Sequence, residues 1–376
     1  MKLSIKREIL LDNLNKVSKA ISTKNLIPIL SGIKFDLSNK GLTLTASNND
    51  ITIQSFIELK EESMSIEKEG TIIIQGKEIL DIVRIIPDEE INIEVIDNLK
   101  VLIYTNDLKI KYDLNAINKN EYPNIALELS ENPVVINSTL LSEIVKQTAF
   151  ATSNDESRPV LTGINFKING NIMEISATDS YRLARKLINL DKITEENYNI
   201  IVPCRNIVEF SRIIIGNDSK IEFHIFNNKI LLKENDLLFQ SRLINGNYPN
   251  TTNLLPDDSM LKITAKLASL HNIIEQASIL SSDKEKNTVS LSTEKDVLKV
   301  KSVSNEKGKA EMEMNIDKNN DEEITISFSA KYMMDALNGL ASPNVEISFV
   351  GEVKPIVLKN LDDDSVIQLV LPIRTY

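Results

Sequence analysis

The stretch that begins at Pro28 returns at Pro159. Pro28 and Pro159, Leu30 and Leu161, Gly32 and Gly163, Ile33 and Ile164, Phe35 and Phe166, Leu44 and Ile175, and Ala46 and Ala177 all match at one offset of 131 residues, without a gap. So many matches at a single spacing mark a duplicated structural unit, and a chain built by duplication folds as an array of like domains. A third copy is fainter: Ile33 and Leu44 have counterparts in Val289 and Val300 at one common spacing. The first two copies also close alike, with Tyr122-Pro123-Asn124 and Tyr248-Pro249-Asn250.

Within each copy the apolar residues follow two periods. Ile33, Phe35 and Leu37, then Leu42 and Leu44, Ile51 and Ile53, Ile91, Ile93 and Val95, and Ile221, Phe223 and Ile225 alternate as half-buried antiparallel strands do. The turns between them are rich in Asn and Gly, which tolerate positive φ and suit hairpins. Leu10, Leu14, Val17 and Ile21 instead fall on one helical stripe. A second helix is expected from Lys77 to Ile86, stopped by Pro87. This pair recurs as Ser138–Thr152 with Arg205–Ile215, and as Thr264–Ser281 with Lys331–Leu340. Asn137-Ser138 and Ser329 stand where N-caps belong. The chain of 376 residues therefore reads as three tandem α+β domains, 1–126, 127–252 and 253–376, joined near Ser130-Glu131-Asn132-Pro133 and Pro256-Asp257-Asp258. Such an array leaves sheet edges open at its two ends. Complementary edges would join copies head to tail, as a ring or as a filament.

Catalytic chemistry finds no foothold. His224 and His271 lie in different domains, and His224 alternates with strand residues as an exposed position would. No phosphate-binding loop, dinucleotide fingerprint or nucleophile elbow is present. The single cysteine, Cys204, reads as a small packed residue, and Asp362-Asp363-Asp364 as a hairpin tip rather than a metal site. No cofactor and no metal are expected. One cysteine, no long apolar run and no signal-peptide core predict a cytoplasmic protein without membrane contact.

A net charge of −11 argues against a simple nucleic-acid binder. Yet basic residues slightly outnumber acidic ones on the six helical segments, so the acid lies elsewhere in the chain. A mild, spread cationic layer would attract phosphates without fixing a register, as non-specific DNA contact requires. At the C-terminus, Leu369-Val370-Leu371-Pro372-Ile373-Arg374 leaves apolar residues just past a final strand, a candidate peptide-docking surface. These readings leave open an enzyme on repeated α+β domains and a monomeric protein-binding scaffold without DNA function.

The run Ile27–Leu30, the motif Thr178-Asp179-Ser180-Tyr181-Arg182-Leu183-Ala184, the Tyr248-Pro249-Asn250 segment and the tail Leu371-Pro372-Ile373-Arg374 together resemble the bacterial DNA polymerase III beta subunits, the sliding clamps, over the whole chain. The resemblance implies three repeats of the DNA-clamp fold, helices inside and antiparallel sheets outside, closing as a head-to-tail homodimeric ring around duplex DNA. It implies no catalysis. Expected partners are duplex DNA, a second copy of the chain, the DNA polymerase III alpha subunit, an ATP-dependent clamp loader and other replication and repair proteins.

Carried over residue by residue, the resemblance places a partner-peptide groove at Leu161, Thr178, Ser180, Tyr181, Arg182 and Leu183, with Pro249 and Leu254. Leu369, Leu371, Pro372, Ile373 and Arg374 complete it. Ser180-Tyr181 stands where Gly-His is frequent in the family, and Asn253 where Arg is frequent. For DNA, Lys24 and Lys77 match family positions, and helix placement adds Arg84, Arg205 and Arg212. Asp155–Val160 departs from the family by offering Pro159 and Val160 where polar and aromatic DNA contacts occur. At the dimer contact, Tyr112 and Leu114 are expected to meet Ile279 and Leu280 of the partner chain.

Overall fold

The structure is a computed structural model that describes residues 1–21, 28–97, 99–118, 120, 122–214, 216, 218–256, 258–281, 287–304 and 306–374, with backbone alone at 28 and 252. Six helices are present among them: α1 (Arg7–Val17), α2 (Gly76–Ile85), α3 (Ser138–Thr148), α4 (Cys204–Ile213), α5 (Leu267–Ser278) and α6 (Ala330–Leu340). The chain forms two compact units, Met1–Thr139 with Glu209–Leu243, and Leu140–Val208 with Ile244–Tyr376. None of the helices described is long and apolar enough to cross a membrane.

In the first unit an eight-stranded antiparallel sheet runs in the order Val134–Asn137, Lys220–Ile225, Lys229–Glu234, Leu237–Arg242, Ile51–Glu58, Gly41–Ser47, Gly32–Ser38, Gly70–Gln75. A five-stranded sheet runs Met64–Lys68, Lys2–Lys6, Glu90–Asp97, Lys100–Tyr104, Lys111–Asn115. In the second unit a nine-stranded sheet runs Tyr198–Pro203, Gly163–Asn169, Ile172–Thr178, Arg182–Asn189, Val366–Val370, Ile356–Asn360, Asn344–Phe349, Leu261–Lys266, Asp317–Lys318. Its companion of four strands runs Gly308–Asn315, Val297–Ser304, Thr288–Glu294, Thr325–Ser329.

The repeat written in the sequence is the repeat of strands. Gly32–Ser38, Gly163–Asn169 and Thr288–Glu294 are its three first strands, each paired antiparallel with the strand that follows. The alternating residues named above are their buried face: Ile33, Phe35, Leu44, Ile164, Phe166, Ile175, Val289 and Val300 are all buried. The matched glycines mark a close approach of the neighbouring strand. A Cβ on Gly32 would come within 2.5 Å of Ile73 Cγ2, and one on Gly163 within 2.5 Å of Ile201 Cγ2. α1 buries Leu10, Leu14 and Val17 and α5 buries Leu270, Ile274 and Ala277, the stripes that the spacing predicts.

Three expectations change. α5 begins at Leu267, because Ile263 and Ala265 are buried members of the strand Leu261–Lys266. Ile21 lies beyond α1, which ends at Val17 and passes into a short tight turn over Ser18–Ala20. His224 is 2% exposed instead of open to solvent. Its Nδ1 accepts from the Ser130 N–H at 2.9 Å and its Nε2 lies 3.2 Å from Glu222 Oε2, so the chain segment at Ser130 covers it and both ring nitrogens are satisfied. Ser329 caps α6 as expected, accepting from the Tyr332 N–H.

Two strand pairings join one repeat to the next. In the first unit Leu237–Arg242 pairs antiparallel with Ile51–Glu58, setting Phe239 opposite Ile53. In the second, Val366–Val370 pairs antiparallel with Arg182–Asn189, setting Gln368 opposite Ala184. The strands that hold the corresponding places at the outer ends, Lys111–Asn115 and Gly308–Asn315, are both sheet edges.

Candidate protein-docking site

The second unit carries a cleft of about 640 Å³ lined by Tyr181, Asn287, Ser329, Lys331, Tyr332, Leu371, Pro372, Ile373 and Arg374. The C-terminal tail forms one wall. It leaves the strand Val366–Val370 through two backbone bonds, Leu371 N–H to Tyr181 O at 2.9 Å and Ile373 N–H to Ser327 O at 2.7 Å. Pro372 has no N–H to give, and these bonds on either side fix the tail without it. The opposite wall is the start of α6, where Ser329, Lys331 and Tyr332 face the opening. Lys331 and Arg374 supply positive charge at a mouth whose lining, among the described residues, holds no carboxylate side chain.

Beside the cleft, Leu183, Val357 and Leu369 form a small buried cluster, against which Leu255, Ile367 and Leu371 pack half-buried. Leu371 belongs to both. Leu161 and Thr178 are buried too, whereas Pro249 is exposed and Leu254 is largely so. Of the residues that the resemblance names, Tyr181, Leu371, Pro372, Ile373 and Arg374 thus come together in the cleft, and Leu183 and Leu369 form the floor next to it.

The turn from Thr178 to Arg182 is held from within. Asp179 Oδ1 accepts from the N–H groups of Tyr181 and Arg182 at 2.9 and 3.0 Å, and Thr178 Oγ1 donates to Arg182 O at 2.6 Å. Ser180 takes φ +78°, a conformation that costs an L-residue and suits the glycine frequent in the family at this position. Its hydroxyl accepts from Arg158 Nη1 at 3.2 Å. The Tyr248 hydroxyl accepts from the Thr178 N–H at 2.9 Å, and burial pushes that phenol well above its ordinary pKa. Burial likewise raises the Cys204 thiol, the half-buried packed residue that its surroundings predict. Asp362 and Asp364 flank a turn in which Asp363 Oδ1 accepts from the Ser365 N–H, a hairpin tip. Among the described residues no cluster of His, Cys, Asp and Glu could hold a metal ion.

Arg182 is the main departure from the expected groove. Its side chain is 9% exposed, ion-paired to Asp179 and Asp335 and stacked on Tyr332 and Phe150. It does not line the cleft. Sequence reasoning also missed Asn287, Ser329, Lys331 and Tyr332, which come from a different repeat than the Thr178–Ala184 motif. No local spacing signals a contact between residues 153 apart such as Arg182 and Asp335.

Lys24 lies outside the described residues. Lys77 and Arg84 are exposed on α2 and Arg205 and Arg212 on α4, with Arg84 3.4 Å from Asp81 and Arg212 3.7 Å from Glu209. Tyr112 and Leu114 are half-buried on the edge strand Lys111–Asn115. Ile279, directly after α5, is 68% exposed, and Leu280 is half-buried.

Comparison with known proteins agrees along the full length. Family models of the DNA polymerase III beta subunit match its N-terminal domain to residues 1–126, its central domain to 135–250 and its C-terminal domain to 252–374. The beta sliding clamp of Bacillus subtilis is 36% identical over 380 residues, covering 100% of both chains, and that of Staphylococcus aureus 34% over 379 residues with the same coverage. The crystal structure of the Bacillus subtilis DNA polymerase sliding clamp superposes with a TM-score of 0.96 at 35% identity, and that of the Streptococcus pneumoniae DNA polymerase III beta chain with 0.95 at 34%, each over 100% of both chains. The chain belongs to the DNA polymerase III beta subunit family, the bacterial sliding clamps, which serve that polymerase as its non-catalytic processivity factor.

Proposed function

We propose that two copies of this chain close head to tail into a ring around duplex DNA, and that the ring tethers the polymerase by topology. The observation that carries this reading is the pair of open edges. Each junction inside the chain joins the strand after the first hairpin of one repeat to the last hairpin strand of the next, and Gly308–Asn315 and Lys111–Asn115 are the strands of those two kinds left with one side open. Transferring the internal registers to them sets Tyr112 opposite the partner's Ala310, as Phe239 stands opposite Ile53 and Gln368 opposite Ala184. The same register places Lys111 opposite the partner's Glu311 and Asp113 opposite the partner's Lys309. Opposite charges meet at both pairs, which supports the register.

The helices agree. In the second unit Phe150 packs on Gly339, where an added Cβ would lie 2.7 Å from its ring. Ile279 holds the place of Phe150 relative to α5, and Ile85 the place of Gly339 on α2. Ile279 and Ile85 are 68% and 66% exposed in the single chain, and this contact would cover both.

The domains would divide at 1–126, 127–252 and 253–376. Lys77, Arg84, Arg205 and Arg212, with Lys24, would meet DNA phosphates non-specifically. The cleft and its apolar floor would dock a short peptide with apolar anchors, shared in the cytoplasm by the DNA polymerase III alpha subunit, the ATP-dependent clamp loader and other replication and repair proteins. The test replaces Leu183 and Ile373 by Asp. Peptide binding is expected to be lost while the dimer mass is kept; surviving peptide affinity refutes the groove, and a wild-type chain that is a stable monomer at micromolar concentration refutes the ring.

A further inference from the structure

The geometry points to Arg182 as a positioning residue for the docking cleft, one that makes peptide affinity depend on a carboxylate outside the cleft, Asp335. The inference rests on the docking reading above. Arg182 Nε donates to Asp179 Oδ2 at 3.0 Å and Nη1 to Asp335 Oδ2 at 2.6 Å. The guanidinium carbon lies 4.4 Å from the centre of the Tyr332 ring and 5.5 Å from that of Phe150. One side chain thus ties the turn that carries Tyr181, the segment after α3 and the first turns of α6. Tyr181 and Tyr332 are cleft walls, and Arg182 and Asp335 are not.

The repeat separates this arrangement from ordinary structural support. The strands Ile51–Glu58, Arg182–Asn189 and Gly308–Asn315 begin at equivalent places, so Ile51 and Gly308 are the counterparts of Arg182. The acid is common to all three copies, as the sixth residue of α2, α4 and α6: Asp81, Glu209 and Asp335. Asp81 pairs with Arg84 and Glu209 with Lys19 and Arg212, both without a buried arginine. At the first junction a buried Ile51 serves the fold alone. Burying a guanidinium is costly, and apolar residues in place of a whole buried ion pair often serve stability as well or better. Of the two junctions inside the chain, the one beside the cleft uses the costly solution among the described residues. What the arginine adds there is direction: a planar, doubly paired cation holds the Tyr332 ring face-on and fixes the Asp179 turn, so both walls stand ready before a peptide arrives.

The test uses the full-length dimer and a fluorescein-labelled synthetic peptide of about ten residues with two leucines and a phenylalanine as apolar anchors. Arg182→Ile installs the residue of the first repeat. The melting temperature is expected to fall, because Asp179 and Asp335 lose their cation, and the dimer mass to be kept, while peptide affinity of the folded protein measured by anisotropy falls roughly tenfold or more. Arg182→Lys, which keeps the charge without the planar fork, is expected to recover part of the loss. Asp335→Asn, milder for folding, is expected to weaken the peptide in the same direction and to shift the fluorine NMR signal of a fluorotyrosine placed at Tyr332. Wild-type affinity in folded Arg182→Ile overturns the proposal, as does an affinity loss that only tracks the unfolded fraction. If Arg182→Ile fails to fold, unchanged affinity in Asp335→Asn overturns it. Peptide binding that survives Leu183→Asp overturns the docking reading itself, and this proposal with it.

Discussion

Reversing one charge on the open edge of the first repeat should weaken the dimer, and reversing its opposite number should restore it. Carried over to the proposed contact between copies, the internal registers would set Lys111 opposite the partner's Glu311. An opposite-charge pair across antiparallel strands contributes about 0.2–1 kcal/mol, and a like-charge pair costs a similar amount. Lys111→Glu exchanges the first for the second, a change of about 1 kcal/mol per junction. A two-fold ring contains two identical junctions, so dimerisation should weaken by about 2 kcal/mol, roughly 30-fold in dissociation constant. Lys301 already stands 3.0 Å from Glu311, which holds the effect toward the low end. Glu311→Lys alone should weaken the dimer comparably, and the double variant should return it near wild type. Sedimentation equilibrium on the three variants at low and physiological salt reads this out, with the differences shrinking as salt rises. Single variants without effect, or a double variant no better than either, would refute the register and the repeat logic behind it.

Three further outcomes follow from named side chains. Burial raises the Tyr122 phenol to about 12, so its neutral form is favoured in the folded chain. That stabilisation is complete below the unfolded value near 10 and is lost as pH rises toward 12; Tyr122→Phe should remove about 2–3 kcal/mol from the fall in stability across that window, to which the buried Tyr248 also contributes. Ser180→Gly should relieve the φ of +78° and raise stability by about 1 kcal/mol or less, because glycine's freedom in the unfolded chain offsets part of the gain; a lowered melting temperature would contradict this. Neutralising Lys77 and Arg84 should weaken DNA binding equally for all sequences and reduce the salt slope by about one for each phosphate no longer neutralised. Sequence-dependent weakening would mean base reading instead.

The repeats were legible because the side chains that define them act locally. Phe35 and Phe166 alternate with polar neighbours along single strands, and Leu10, Leu14 and Val17 fall on one helical face, so period and burial agree. Boundaries were less legible where a strand runs directly into a helix. Thr264–Lys266 satisfy both periods, and only pairing with Asn344–Phe349 decides for strand. The site was half legible. Tyr181 and Leu371–Arg374 sit in compact motifs, whereas the α6 wall and the Arg182–Asp335 pair depend on tertiary packing that no spacing encodes. His224 shows the same limit: its alternation reads as exposure, and a segment almost a hundred residues away covers it.

In the proposed mechanism a closed ring, and not phosphate affinity, would hold the protein on DNA. The direct measurement loads the protein on a circular duplex with a clamp loader and ATP, then cuts the circle once and follows the bound fraction. Slow loss from the intact circle and rapid loss through the ends after cutting are expected, at a salt concentration where free protein shows little binding. Equal retention on circular and linear DNA would contradict that mechanism.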